Sequence, residues 1–242
     1  MMEIKGLVDL SLVDWDRKIS MVIFLAGCNM RCPFCYNVKL VLNPEKLSTV
    51  PFEQIEKRLK RNTGWTDGVV ITGGEPTIHR DLPYLCQKIK KLGFLVKLDT
   101  NGTNPVMTEK LITTKLVDYV AMDIKAPLTE DKYFRACGVN TENLLEEIEK
   151  TIDLLLKDEV GYEFRTTVVP SLHSKQDIKD ICKRIRGCRK YVMQDFKGDV
   201  ETVNRKFENS KPFSEDHIKA FLTTAKKIVP NTMLRGFSHL SF

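Results

Sequence analysis

Short apolar runs of strand length alternate with segments of helical period between residues 19 and 228, and this alternation restricts the chain to a parallel sheet covered by helices. The strand-like runs are 19–26, 68–72, 94–98, 117–122, 162–169 and 191–196. Between and after them, 51–62, 82–92, 108–114, 141–156, 175–185 and 214–228 have helical spacing, with Leu144, Leu145, Ile148, Ile152 and Leu155 on one face of the longest. Six βα units of about 30 residues each require right-handed crossovers between parallel strands. Six is short of the eight that close a barrel, so the expected fold is α/β, a partial (β/α)6 TIM-like barrel. One domain over 1–242 is expected, with a core at about 17–200 and a C-terminal helix and tail at about 211–242. In such a sheet chemistry collects at the C-terminal ends of the strands.

The polar motifs fall at those ends. Cys28 follows the first strand and Gly73-Gly74-Glu75-Pro76 the second. Asp99-Thr100-Asn101-Gly102 follows the third, and Asp123 and Lys125 end the fourth. Arg165 and Thr167 alternate onto one face of the fifth, and Gln194 lies near the end of the sixth. Solubility alone would scatter such residues to both ends of the sheet.

Composition excludes other classes. The longest apolar run, 21–27, is far short of the roughly 20 residues of a membrane helix. The opening stretch MMEIKGLVDLSLVDW carries two acids and no continuous apolar core, so it does not read as a signal peptide. A cytoplasmic globular protein is expected. The net charge of +6 is a modest excess. The basic runs KRLKR (57–61) and KRIRGCRK (183–190) read as solvated helix faces, and no aromatic-rich signature accompanies them, so no nucleic-acid partner is implied.

Seven cysteines are present, three of them within eight residues. A secreted disulfide framework would be shorter, even in count and dispersed. Three thiolates in one tight loop, Cys28-x3-Cys32-x2-Cys35, suit a [4Fe–4S] cluster with one iron left open to a small molecule. Zinc is the competing metal, but it usually takes four protein ligands, and Cys182 and Cys188 make a poor second pair. Cys86 reads as core, and Cys137 as a loop thiol beside Gly138. His79 and His173 read as loop residues at the active end of the sheet, of the kind usually found on the surface.

The cysteine loop followed by Gly73-Gly74-Glu75-Pro76 resembles the radical S-adenosylmethionine superfamily. The resemblance implies that Cys28, Cys32 and Cys35 hold the cluster and that S-adenosylmethionine binds its open iron through the methionine amino and carboxylate groups. An electron then splits a C–S bond to give a 5′-deoxyadenosyl radical. Gly73 and Gly74 let backbone approach the cofactor closely, and Glu75 and the neighbouring carbonyls accept from its ammonium. Asp99 and Asn101 belong to the pocket; a turn with an N-cap is the competing reading of this segment. In similar activating enzymes Asp99 and Asp123 correspond to residues that help hold a monovalent cation, and Lys125 to the lysine that meets the methionine carboxylate. Phe34 matches an aromatic near the adenine, with core packing as the alternative. Arg165 and Thr167 are candidates to touch cofactor or substrate.

Finer stretches are similar to the anaerobic ribonucleoside-triphosphate reductase activating proteins and the pyruvate formate-lyase activating enzyme. They are Ser11-Leu12-Val13-Asp14-Trp15, Ile23–Asn29, Cys35-Tyr36-Asn37, Leu98–Gly102, Ala121–Lys125 and Phe164–Pro170. Tyr36 departs from the histidine expected there, and removes no ligand. The implied reaction is hydrogen abstraction from a glycine Cα of a partner glycyl radical enzyme. A flavodoxin- or ferredoxin-type donor would supply electrons to a monomer or transient complex. Two alternatives stand beside it. One is a small-molecule radical enzyme such as 7-carboxy-7-deazaguanine synthase; the other is a non-catalytic zinc or iron–sulfur module.

Overall fold

The computed structural model describes residues 2–237; the last five residues of the expected tail lie outside it. The elements in chain order are β1 (Ile4–Ser11), β2 (Ser20–Leu25), α1 (Val38–Leu42), α2 (Phe52–Arg61), β3 (Gly68–Gly73), α3 (Leu82–Lys91), β4 (Leu95–Thr100) and α4 (Pro105–Thr113). They continue with β5 (Tyr119–Asp123), α5 (Glu130–Cys137), α6 (Leu144–Leu156), β6 (Gly161–Val168), α7 (Lys175–Arg184), β7 (Tyr191–Asp195), α8 (Glu215–Lys226) and β8 (Thr232–Arg235). Strand order follows chain order, β1 to β8, in one eight-stranded sheet. β1 runs antiparallel to β2, while the β2–β3, β3–β4, β6–β7 and β7–β8 pairs are parallel. This is the expected partial TIM-like barrel, with the six expected strands and a further strand beyond each end of the series.

Several expectations are corrected in detail. β4 continues through Asp99 and Thr100, which therefore end the strand rather than follow it. β5 stops at Asp123, so Lys125 lies beyond it. Cys137 is the last residue of a helix that the sequence did not suggest, buried and capped by left-handed Gly138. The helix expected from 141 starts at Leu144, because Asn143 has φ +62° and breaks the helical run before it.

The chain divides into two compact units. Among the described residues, the first comprises 2–29, 37–121 and 159–161, and the second 30–36, 122–158 and 162–237. In the first, Trp15 from the β1–β2 connection packs on Val22 of β2 and Val70 of β3. Its ring centroid lies 6.0 Å from that of Tyr119. Behind the strands, Ile55 and Leu59 of α2 and Leu85, Cys86 and Ile89 of α3 are buried, as their spacing foretold.

In the second unit, α7 opens on a capping box in which Ser174 and Asp177 satisfy each other's backbone N–H groups. Buried Glu163 of β6 takes Arg235 of β8 at 2.8 Å and Lys190 at 2.8 Å, so no isolated charge is left inside.

Trp15 is buried against Val22, Val70 and Tyr119. Trp15→Ala is expected to lower unfolding free energy by about 3–5 kcal/mol, read from urea denaturation of the cluster-free chain.

Candidate active site

In the first unit, the Gly-Gly segment runs hard against the backbone that leads into Cys28. Gly74 N–H donates to Leu25 O at 3.0 Å and Glu75 N–H to Gly27 O at 2.9 Å. A Cβ on Gly74 would stand 1.6 Å from Gly27 O, and one on Gly73, where φ is +120°, 2.4 Å from Leu25 N. Both glycines are thus required by the chain's own packing, before any ligand is considered.

Glu75 is 1% exposed. Its Oε1 accepts from Thr77 N–H (3.0 Å), Thr77 Oγ1 (2.6 Å) and Thr100 Oγ1 (2.7 Å), and its Oε2 from Asn101 N–H (2.6 Å). Burial pushes its carboxyl up, and these four donors oppose that shift. The carboxylate is a brace between the ends of β3 and β4. Asn101 extends the brace. Its Nδ2 donates to Asn29 Oδ1 at 2.9 Å, next to Cys28, while its Oδ1 accepts from Thr103.

Asp99 is nearly buried and faces Lys97 Nζ at 3.1 Å. Lys97 is itself 1% exposed and also donates to the Asp14 carbonyl.

In the second unit, Cys32 is buried and Cys35 half-buried. Backbone bonds hold their turn on every side: Arg31 N–H to Cys137 O (2.9 Å), Cys35 N–H to Cys32 O (3.0 Å), Val203 N–H to Cys35 O (3.0 Å) and Asn204 N–H to Pro33 O (2.9 Å). Gly138 has φ +72°, and a Cβ there would lie 2.0 Å from Arg31 O. Phe34 is 6% exposed. Tyr36 is exposed.

Asp123 gathers two cations: Lys125 Nζ sits 2.9 Å from Oδ2 and Arg165 Nε 2.7 Å from Oδ1. Burial opposes ionisation, but the two cations overcome it and hold the carboxyl at about 2. Lys125, for its part, is pushed down by burial and held above its ordinary value by Asp123 and by the neighbouring Cys32 thiol. One carboxylate against two cations leaves a net positive charge beside Cys32. Thr167 is half-buried on the same strand.

His173 corrects the surface reading. It is 6% exposed; Nδ1 accepts from Val169 N–H at 2.9 Å, so Nε2 carries the proton and donates to Lys125 O at 2.8 Å. Burial lowers its pKa, keeping it neutral. His79 makes a similar tie, its Nε2 standing 2.9 Å from Ala26 O.

The scattered cysteines are poor candidates for chemistry. Burial pushes the thiols of Cys86 and Cys182 up to about 12 and that of Cys188 to about 11. Cys137 also titrates high through burial, and donates to Val139 O at 3.2 Å.

The loop's donor set fits an iron–sulfur cluster: three soft thiols within eight residues, a rigid backbone, and the ammonium of Lys125 beside Cys32 to offset thiolate charge. Among the described residues no three His, Cys, Asp or Glu side chains form a ready-made cage, so ligation rests on their order in one loop. The expected monovalent cation fits less well, since Asp99 and Asp123 already face side-chain cations. Lys97 went unread at the sequence level, and Thr100, Asn29 and His173 were given no role of their own there. Only the alternation that aims Lys97 and Asp99 to one strand face could have signalled the first.

The sequence matches the Radical SAM superfamily over residues 22–185. A protein of Methanocaldococcus jannaschii, provisionally named a glycyl-radical enzyme activating enzyme, is 39% identical over 233 residues, 96% of this chain and 95% of that protein. A 7-carboxy-7-deazaguanine synthase of Aquifex aeolicus is 40% identical, but over 88 residues, 35% of this chain and 36% of its own. Among solved structures, Streptococcus suis SuiB bound to its precursor peptide SuiA superposes with a TM-score of 0.68 at 17% identity. That match covers 89% of this chain and 48% of SuiB. No described helix is long and apolar enough to cross a membrane.

The ion cluster predicts a pH signature. Asp123 gains its stabilisation above its ordinary pKa of 3.8 and loses it as pH falls through about 2. The stability gap between wild type and Asp123→Asn should therefore narrow by about 2 kcal/mol between about pH 5 and pH 2. Urea denaturation of the cluster-free chain across that range reads it.

Proposed function

The chain belongs to the radical S-adenosylmethionine superfamily, and we propose that within it this enzyme abstracts a hydrogen atom from a glycine Cα of a glycyl radical enzyme. The anaerobic ribonucleoside-triphosphate reductase is the partner we favour. The single observation that carries the reading is extent of likeness. The activating-enzyme relative matches from end to end, whereas the 7-carboxy-7-deazaguanine synthase matches over about a third of the chain. Residues specific for a pterin-like substrate are not evident in the described site.

A [4Fe–4S] cluster held by this loop would supply one-electron reduction of a bound S-adenosylmethionine. The chain's own residues do the rest. Cys28, Cys32 and Cys35 are the proposed thiolate ligands. The backbone of 73–75, stiffened by Glu75, is the proposed acceptor for the cofactor ammonium, beside the Asn37 Nδ2 bond to Gly73 O. Asp123 orients Lys125 and Arg165, and the resulting net positive charge suits a carboxylate. The Asn101–Asn29 bond limits movement at the first cysteine. Positioning of this kind raises the rate by removing conformational freedom before the reaction.

The test is anaerobic reconstitution with iron, sulfide and S-adenosylmethionine, followed by reduction in the presence of the reductase. A glycyl radical signal by electron paramagnetic resonance and formation of 5′-deoxyadenosine are expected. Turnover of a pterin substrate with no glycyl radical would overturn the reading. Cys32→Ala should reduce 5′-deoxyadenosine to background while leaving the fold intact by circular dichroism. Lys125→Met should weaken S-adenosylmethionine binding about tenfold or more, as expected for losing a charge-assisted contact.

A further inference from the structure

Lys97 is 1% exposed, and its ammonium lies between a carboxylate and a peptide carbonyl, all within the first unit. Lys97 and Asp99 are two residues apart on β4, so their side chains leave the same face of the strand. Nζ stands 3.1 Å from Asp99 Oδ1 and donates to the carbonyl of Asp14, 83 residues away in sequence. That carbonyl belongs to a tight turn between β1 and β2. Ser11 Oγ donates to Asp14 Oδ2 at 2.5 Å and accepts from the N–H groups of Val13 and Asp14, each at 3.2 Å. The next residue, Trp15, is buried against Val22 and Val70. On the other side, Asp99 leads into Thr100 and Asn101, whose hydroxyl and N–H hold Glu75. The ammonium thus joins the turn before β2 to the end of β4.

A carboxylate and a peptide carbonyl are oxygen donors of the kind a hard metal cation takes, and the resemblance described above gives Asp99 to a monovalent cation. We propose that Lys97 fills that place: its ammonium is the resident cation of Asp99, and the enzyme requires no sodium or potassium ion there. The inference deepens the reading of the site made above, but it concerns side chains that pack before any cofactor arrives. A metal ion at Asp99 would have to crowd or displace an ammonium already at ion-pair distance, and like charges repel strongly where water is excluded. The covalent stem keeps the ammonium in place whatever the salt, whereas a free ion would be bound only in proportion to its concentration. Burial holds the arrangement together, since losing the ammonium would leave a nearly buried carboxylate without this cation. Lys97 is therefore a positioning residue, acting on the cofactor pocket through Asp99 and the Thr100–Asn101 segment.

The experiment exchanges the tethered cation for a free one. Lys97→Ala vacates the space of the side chain, and Lys97→Met fills it without charge. Both are compared with wild type in potassium, ammonium and choline chlorides at equal ionic strength, choline being too large to enter. The first readout is the urea midpoint of the cluster-free chain. Wild type should have the same midpoint in all three salts. Lys97→Ala should be destabilised in choline and regain part of the loss in potassium or ammonium, and adding Asp99→Asn should abolish that recovery. Lys97→Met, which keeps the volume, should be destabilised equally in all three. The second readout is 5′-deoxyadenosine formation by reconstituted enzyme reduced with dithionite. Wild type should be equally active in the three salts. Lys97→Ala in choline should lose about tenfold or more, as for a broken buried pair, and recover in part with potassium or ammonium. A wild-type midpoint or activity that potassium raises over choline overturns the proposal, because a metal ion would then serve the site. So does a Lys97→Ala chain that responds to no cation in either readout, and so does a Lys97→Met chain as stable as wild type. If wild type cleaves no cofactor in any salt, the enzymatic reading fails separately, and the urea midpoints still decide whether Lys97 holds the cation's place.

Discussion

The cysteine loop is held by backbone packed so closely that no side chain would fit at the points of contact. Gly74 lies against Gly27 just before Cys28, and Gly138 lies against Arg31 just before Cys32. Each contact fixes a peptide rather than a side chain, so each resists the small rotations through which a surface loop ordinarily moves. The rest of the first unit's polar architecture builds on the first of them. Glu75, following directly, turns its carboxylate onto Thr100 and Asn101 and ties two strand ends together. Asn101 returns to Asn29 and the loop. A buried carboxylate with four donors stiffens such a network, because removing any donor exposes the full cost of desolvation.

This arrangement alters the reading of the Gly-Gly-Glu-Pro segment. The motif lies at the end of a strand beside the backbone of Cys28, and its glycines answer first to Leu25 and Gly27. A pattern of residue types cannot distinguish close approach to a ligand from close approach to the chain itself, because both demand the absence of Cβ. The same ambiguity covers Phe34, which is buried.

The six central strands were legible because each is a short apolar run between turn residues, and the long helices because their apolar faces recur over several turns. The missed elements lack such signals. β1 is half-exposed along much of its length and carries Gly6, and β8 has only four residues. α5 has eight residues, too few for its buried Tyr133, Ala136 and Cys137 to establish a period. Lys97 was hidden for a different reason. A lysine inside a strand reads as a solvent-facing position, and what makes it tolerable here is the Asp14 carbonyl, far away in sequence, together with Asp99 two residues on. His173 is likewise a loop residue by sequence, buried because Val169 N–H and Lys125 O use both ring nitrogens.

Several interior carboxylates are met by cations the chain supplies, whereas Glu75 is held by neutral donors alone among those described. Glu163 has Lys190 and Arg235, Asp99 has Lys97, and Asp123 has Lys125 and Arg165. Desolvation would make any unmatched member expensive, so the pairs specify which side chains stay inside. Asp99 with Lys97 is a balanced pair. Asp123, by contrast, is outnumbered, and the surplus charge lies beside Cys32. A cation at that point favours an anionic neighbour, which a cluster thiolate or a cofactor carboxylate would supply. A further metal cation at the same carboxylate would be opposed by Lys125 and Arg165, which already face it.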